Sequence, residues 1–166
     1  MTFDLNHTPE QRLAALGLVL PLSPTPAGLY RPARLVGDTL YLAGQGPRHA
    51  DGSFVTGRLG ADATLEQGRM AARDAGLRLL SVAQAALGGL SRVVTVARVA
   101  AVIHAVPEYE DHAAVLDGCS DLFSQVFGEA GQHVRSVTGS TSMPFGMILQ
   151  IDAIFHVSLA SQEQSK

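Results

Sequence analysis

Arg135 opens the stretch RSVTGSTSMP, and nine positions later Pro144 leads into the alternating apolar run MILQIDAIFHVSL. An arginine side chain is always charged and presents a planar fork of donors that fits a carboxylate through two parallel hydrogen bonds. Its place at the head of what reads as a final hairpin around Pro144-Phe145-Gly146 makes it a candidate anion-binding residue, with a surface ion pair as the competing reading. Gln150 shares a strand face with Asp152 in the period-two pattern, where either a buried structural amide or an amide that orients water would fit. The six histidines, His7, His49, His104, His112, His133 and His156, show no HxxxH or HxH spacing and no paired cysteine, so no metal site is expected. The glycines of GQGP and GADATLEQG follow neither a dinucleotide-binding nor a P-loop pattern and read as turn residues. Cys119, a heptad after His112, reads as a small core hydrophobe and not as a nucleophile.

The chain around these residues has the length of one domain, 166 residues. A net charge of −3, with 12 Lys and Arg spread thinly, supplies no basic stripe to neutralise a phosphate backbone and argues against nucleic acid as a partner. The single cysteine agrees with a reducing compartment. The stretch LGLVLPLSP is too short and too broken by proline to span a bilayer, and the N-terminal residues do not resemble a targeting signal, so the expectation is a cytoplasmic protein with no membrane partner. Hydrophobic residues make up 46% of the chain and charged residues 16%. Charged residues average about 25% in globular domains, so part of this surface is expected to meet another subunit.

Local signals divide the chain into elements. Thr8-Pro9-Glu10-Gln11 reads as the start of a short helix that Gly17 ends, an N-terminal helical extension occupying residues 1–25. A single domain follows over 26–160, with a polar tail at 161–166. Gly37-Asp38 marks a hairpin turn, and a short strand is expected at Phe54-Val55 within a polar, glycine-rich loop. Thr64 and Gln67 form a capping box for a long helix that ends at Gly88-Gly89, with an apolar stripe of Leu65, Ala72, Ala75, Leu79, Val82 and Ala86. The run RVVTVARVAAVIHAV predicts a strand covered on both faces. Pro107-Glu108 predicts the start of a second long helix that Gly128 stops. Helix, two strands, helix, strand, helix, two strands argues for an α+β fold with helices on one face of a mixed sheet. The opposite, apolar face predicts several protomers packed sheet to sheet in a closed ring.

From Pro26 to Val157 the chain resembles the RidA/YjgF family of reactive-intermediate deaminases, once called endoribonuclease L-PSP. The carriers are AGLYRPARLVGDTLYLAGQGP, the long helix, VVTVARVAAVI, and RSVTGSTSMP followed by ILQIDAI. The N-terminal helix and FSQVFGEAGQHVRS resemble a longer branch of that family. The resemblance implies a chorismate-mutase-like fold, a homotrimer with ligand clefts between subunits, and hydrolysis of small enamine or imine acids to 2-keto acids and ammonia without metal or organic cofactor. It also implies that Arg135 grips the substrate carboxylate, that backbone groups near Gly44 and Val137 hold its polar ends, and that Tyr30 lines the cleft. Three departures stand out: Gln150 replaces a glutamate thought to position the attacking water, Val137 a cysteine, and Ala43 a serine. An amide orients water but cannot accept a proton as a carboxylate does, which keeps a non-catalytic carboxylate-binding trimer open as the alternative. Ribonuclease activity follows only from the older family name.

Overall fold

A computed structural model describes residues 7–25 and 28–159. The expected tail at 161–166, and the residues at which the extension was expected to give way to the domain, fall outside them.

Helix α1, Pro9–Ala15, begins where Thr8 and Gln11 exchange side-chain and backbone hydrogen bonds of 3.2 and 2.8 Å, with Pro9 at the first helical position. It docks onto the rest of the molecule through Leu13, Glu10 and Arg12, whose Nη1 donates to the Val126 carbonyl at 3.4 Å. Leu13 is buried in the main core. The Glu10 carboxylate accepts hydrogen bonds from the Leu90 and Ser91 amides at 2.7 and 3.2 Å and from the Ser91 hydroxyl at 2.8 Å. Burial alone would raise the pKa of this carboxyl, but the hydrogen bonds outweigh it and hold the group below its ordinary value.

Strands β1, Ala33–Val36, and β2, Thr39–Gln45, form the expected hairpin, with Gly37 in the left-handed conformation the tight turn needs. Helix α2, Leu65–Leu87, is capped by Thr64 and Gln67 and stopped by left-handed Gly88. Ala72, Ala75, Leu79 and Val82 are buried as their spacing requires, whereas Leu65 and Ala86 are exposed. Leu65 lies in the exposed first turn, and in the last turn Ala83 and Leu87 take the core-facing places while Ala86 faces out. Strand β3, Val93–His104, follows, then helix α3, His112–Phe127, ended by Gly128. Helix α3 starts after the predicted Pro107-Glu108, because those residues sit in a turn closed by the Tyr109 amide donating to the Val106 carbonyl at 3.1 Å. Strands β4, Val134–Ser140, and β5, Leu149–Val157, complete the sheet. Phe54 and Thr56 make only isolated bridges, to Arg48 and Met147, in place of the expected strand.

The sheet order is β1-β2-β5-β3-β4, with β3 and β4 parallel and the other pairs antiparallel. The final hairpin predicted from Arg135 to β5 is therefore absent: β3 lies between β4 and β5. The physical reason is the α3 crossover, which is long enough to return the chain parallel to β3 along its free edge. Ser140 then pairs with His104 and Leu149 with Ile103, so the Pro144 turn crosses over the end of β3. Local turn chemistry looks the same in a hairpin and in such a crossing.

Both long helices cover one face of the sheet. Leu40, Val96, Val99, Ile103, Ile151 and Phe155 meet Leu79, Leu116, Leu122 and Phe123 in a single core. Full burial of side chains of this size stabilises by about 1.5–3 kcal/mol each. A Cβ on Gly118 would overlap the Arg69 carbonyl oxygen, so this glycine sets how closely α3 approaches α2. The opposite face of the sheet is open in the chain: Val94 is 49%, Tyr41 47% and Val102 36% exposed. The cover predicted for both faces of β3 is thus supplied by helices on one side only. Among the described residues, no helix is long and apolar enough to cross a membrane.

Candidate functional site

Between Leu42↔Ala153 and Gln45↔Ile151 the β2–β5 ladder takes one more residue on β2 than on β5. A bulge of this kind bends a strand and re-aims its side chains, and such features gather beside functional sites. Here it opens a cleft of about 270 Å³ whose walls include Tyr30, Gly44, Gln45, Arg48, Phe145 and Gln150. Pockets for drug-sized ligands occupy roughly 300–1,000 Å³, so this one suits a small metabolite. Gly44 shapes it by lacking a side chain: a Cβ there would overlap the Gln150 amide, which lies across the glycine. Gln45 is buried and donates to the Ala43 carbonyl at 3.1 Å, fastening the bulge from behind.

Among the described residues, Arg48 is the one charged residue on the cleft wall. Its guanidinium lies 3.8 Å over the Phe54 ring, and Phe54 in turn stacks on Phe145 with centroids 5.1 Å apart and planes 17° from parallel. Its Nη1 donates to the Gly52 carbonyl at 2.6 Å. The backbone amide of Arg48 donates to Asp74 at 2.9 Å, and Asp74 is itself paired with Arg78 at 2.7 Å. Among the described residues, no carboxylate pairs with the Arg48 guanidinium. Phe145 is 69% exposed and holds a left-handed φ of 57°, a conformation unfavourable for a bulky residue that tends to persist where a site requires it.

Arg135 lies elsewhere. It stands on β4, the edge strand, in register with Val99 of β3, and its Nη1 meets Asp117 at 2.8 Å and the Ser120 hydroxyl at 3.0 Å. Asp117 also faces Arg69 at 3.6 Å. The Ser120 oxygen is 3.1 Å from His133 Nε2, and His133 Nδ1 is 2.7 Å from the Gly131 carbonyl. A proton on Nδ1 satisfies Gly131 and leaves Nε2 to accept from Ser120, whose oxygen can then accept from Arg135. Burial, and secondarily the charge of Arg135, lower the His133 pKa, although the Gly131 hydrogen bond opposes them. Burial pushes the neighbouring Cys119 thiol well up, which keeps it protonated and unreactive.

Within one chain the cleft thus brings together Tyr30, Gly44 and Gln150. Arg135 and Val137 stand on β4, with β3 between them and β5, and Val137 packs against the core. The ion pair that spacing offered as the alternative for Arg135 is present, yet it occupies Nη1 and leaves the Nε–Nη2 edge of the fork. Sequence reasoning did not assign Arg48, Phe54 or Phe145. The available signal was position: Arg48 follows GQGP directly at the end of β2, and Phe145 is bracketed by proline and glycine. No group of three or more His, Cys, Asp or Glu gathers as a metal site among the described residues.

Together the two-layer fold and the bulge define an α+β protein with a small cleft beside the β2–β5 ladder. The model of the family described as "YjgF/chorismate mutase-like, putative endoribonuclease" matches residues 10–156, and the chain belongs to this RidA/YjgF family. Protein TCP17 of Trypanosoma cruzi is 37% identical over 147 residues, 88% of this chain and 92% of its own length. The crystal structure of a "putative endoribonuclease" from Shewanella oneidensis superposes with a TM-score of 0.87 at 36% identity, covering 91% of this chain and 100% of that one. RidA from an Antarctic Psychrobacter has a TM-score of 0.58 at 20% identity over 81% of this chain and 94% of its own, a likeness of fold.

Proposed function

We propose that this chain is a hydrolytic deaminase of small enamine and imine acids of the 2-aminoacrylate or 2-iminobutanoate type, working as a homotrimer without metal or organic cofactor. One protomer contributes Tyr30, Gly44 and Gln150, and a neighbour brings Arg135 and Val137 to complete the cleft. The open, apolar sheet face supports the assembly. The observation that carries the reading is a small cleft with no acidic side chain among the described residues of its wall, in which the Gln150 amide lies across Gly44.

The chemistry asks little of such a site beyond position and charge. An enamine acid tautomerises to the imine, whose protonated nitrogen makes the C=N carbon electrophilic. The Nε–Nη2 edge of Arg135 holds the carboxylate, and the Gln150 carbonyl accepts a hydrogen bond from water and aims it at that carbon. The C–O bond forms as the C=N π bond becomes the nitrogen lone pair, one proton of the attacking water passes through solvent to that nitrogen, and the C–N bond breaks as the oxygen lone pair forms the C=O bond; the departing ammonia takes up the remaining proton, leaving the 2-keto acid and ammonium.

Ammonia release from freshly generated 2-iminobutanoate tests the proposal. Wild type should exceed buffer, and Arg135→Ala should lower kcat/KM about a hundredfold, as loss of two charge-assisted hydrogen bonds implies. Equal rates for wild type, variant and buffer would remove deamination. The amide at position 150 favours one second reading, a carboxylate-binding trimer without turnover, because Gln150 cannot take a proton from water. Calorimetry would then register binding of a keto acid, lost in Arg135→Ala, with no ammonia released. The ribonuclease reading is weakened by the net charge of −3.

A further inference from the structure

The proposed reaction leaves the charge on the cleft wall, Arg48, unused. Arg48 is positioned by three contacts that fix it without neutralising it: the Phe54 face beneath the guanidinium, the Gly52 carbonyl on Nη1, and Asp74 on its backbone amide. Of the acids near this loop, Asp74 is claimed by Arg78 and Asp51 accepts from the Ser53 amide and hydroxyl at 2.9 and 2.6 Å, and among the described residues neither forms an ion pair with the Arg48 guanidinium. Stacking restricts the side chain in advance, so little further order is lost when a ligand binds. The described contacts of the guanidinium leave its Nε–Nη2 edge available, as at Arg135. Phe54 is already engaged by Arg48 and Phe145, so the ring serves as a support for the cation more than as a surface for a ligand.

We propose that Arg48 receives a second carboxylate, so that the acids this cleft prefers are short dicarboxylic 2-imino acids and the 2-keto acids they yield. The assignment rests on the deaminase reading for where the first carboxylate goes, and it adds what the side chain of the substrate must carry. A monocarboxylic acid leaves Arg48 facing the cleft unpaired, whereas a diacid satisfies both forks. Charge-assisted hydrogen bonds to a positioned guanidinium supply the discrimination.

The test compares oxaloacetate and 2-oxoglutarate with 2-oxobutanoate by calorimetry on the full chain, in wild type, Arg48→Met and Arg48→Lys. The better diacid should bind wild type at least about tenfold more tightly than 2-oxobutanoate. Arg48→Met should bring the two within about twofold, chiefly by weakening the diacid, and Arg48→Lys should keep part of the preference because it keeps the charge and loses the planar fork. The proposal is overturned if 2-oxobutanoate binds wild type as tightly as both diacids, if no diacid binds, or if the preference survives Arg48→Met. It is equally overturned if Arg48→Met weakens all three acids by one factor, the result expected of an arginine that only fastens its loop. Ammonia release from 2-iminobutanoate separates the two claims. Turnover with no effect of Arg48 on diacid preference sinks this inference alone, and a diacid preference that depends on Arg48 without turnover sinks the deaminase reading alone.

Discussion

Two regions of this molecule depend on glycine for close approach, and they do so against different kinds of neighbour. Under the helices, Gly118 faces the Arg69 carbonyl and Gly131 the Phe123 carbonyl, so backbone meets backbone. At the cleft, Gly44 faces the Gln150 amide and Gly46 the Met147 thioether, so backbone meets the far end of a flexible side chain. A backbone carbonyl inside a hydrogen-bonded helix has nowhere to go, whereas a side-chain end can rotate. The helix layer is therefore rigid and its glycines serve stability, while the cleft is adjustable and its glycines serve shape.

The sharpest way to break that contrast is a pair of alanine substitutions. Gly118→Ala should cost about 3 kcal/mol of stability through overpacking, read as a lower denaturant midpoint with an unchanged slope. Gly44→Ala should cost less, about 1 kcal/mol, since the Gln150 side chain from Cγ outward must turn away while no backbone moves, yet weaken keto acid binding about tenfold by pushing the amide into the cleft. Equal losses of stability would show that the two regions do not differ as argued.

A second substitution probes the cleft's chemistry without touching its packing. Gln150→Glu keeps the shape and supplies a proton acceptor, so ammonia release from 2-iminobutanoate should rise about tenfold or more. An unchanged rate would mean that proton transfer to this position does not limit the reaction.

The smallest expected effect belongs to the helix layer and concerns pH. Burial lowers the pKa of His133 below its ordinary 6.5, so just below that value the unfolded chain binds more protons than the folded one. Stability should therefore fall as pH drops below about 6.5 towards the depressed folded value, and the fall should flatten in His133→Gln. A thermal midpoint that declines equally in wild type and variant between pH 7 and 5 would assign the effect to other groups.

How far such features could be read in advance depended on their range. The Thr8 N-cap, the Thr64 capping box, the Gly37 turn and the Gly88 and Gly128 stops are written within a few residues each, and the structure has all of them. The start of α3 was misplaced for the same reason: Pro107-Glu108 suits a first helical turn locally, and only the packing that follows β3 makes it a turn instead. The hairpin expected after Arg135 failed because strand neighbours are a long-range choice, and β3 lies between β4 and β5 without leaving a local trace. Of the cleft, Tyr30, Gly44 and Gln150 were legible through the resemblance, while Arg48, Phe54 and Phe145 lie on loops without periodicity.

By itself the amino-acid order determined the kinds of element, most of their ends, the apolar sheet face and the family, because caps, turns and period-two or period-3.6 patterns act over one or two turns of chain. Tertiary structure alone decided which strands are neighbours, that Arg135 is tied to Asp117 at the sheet edge, and that Arg48 stands in a cleft with no acid among the described residues of its wall. An arginine carries its charge wherever it is placed. Whether that charge is already answered depends on residues brought close by folding, and sequence distance does not record them.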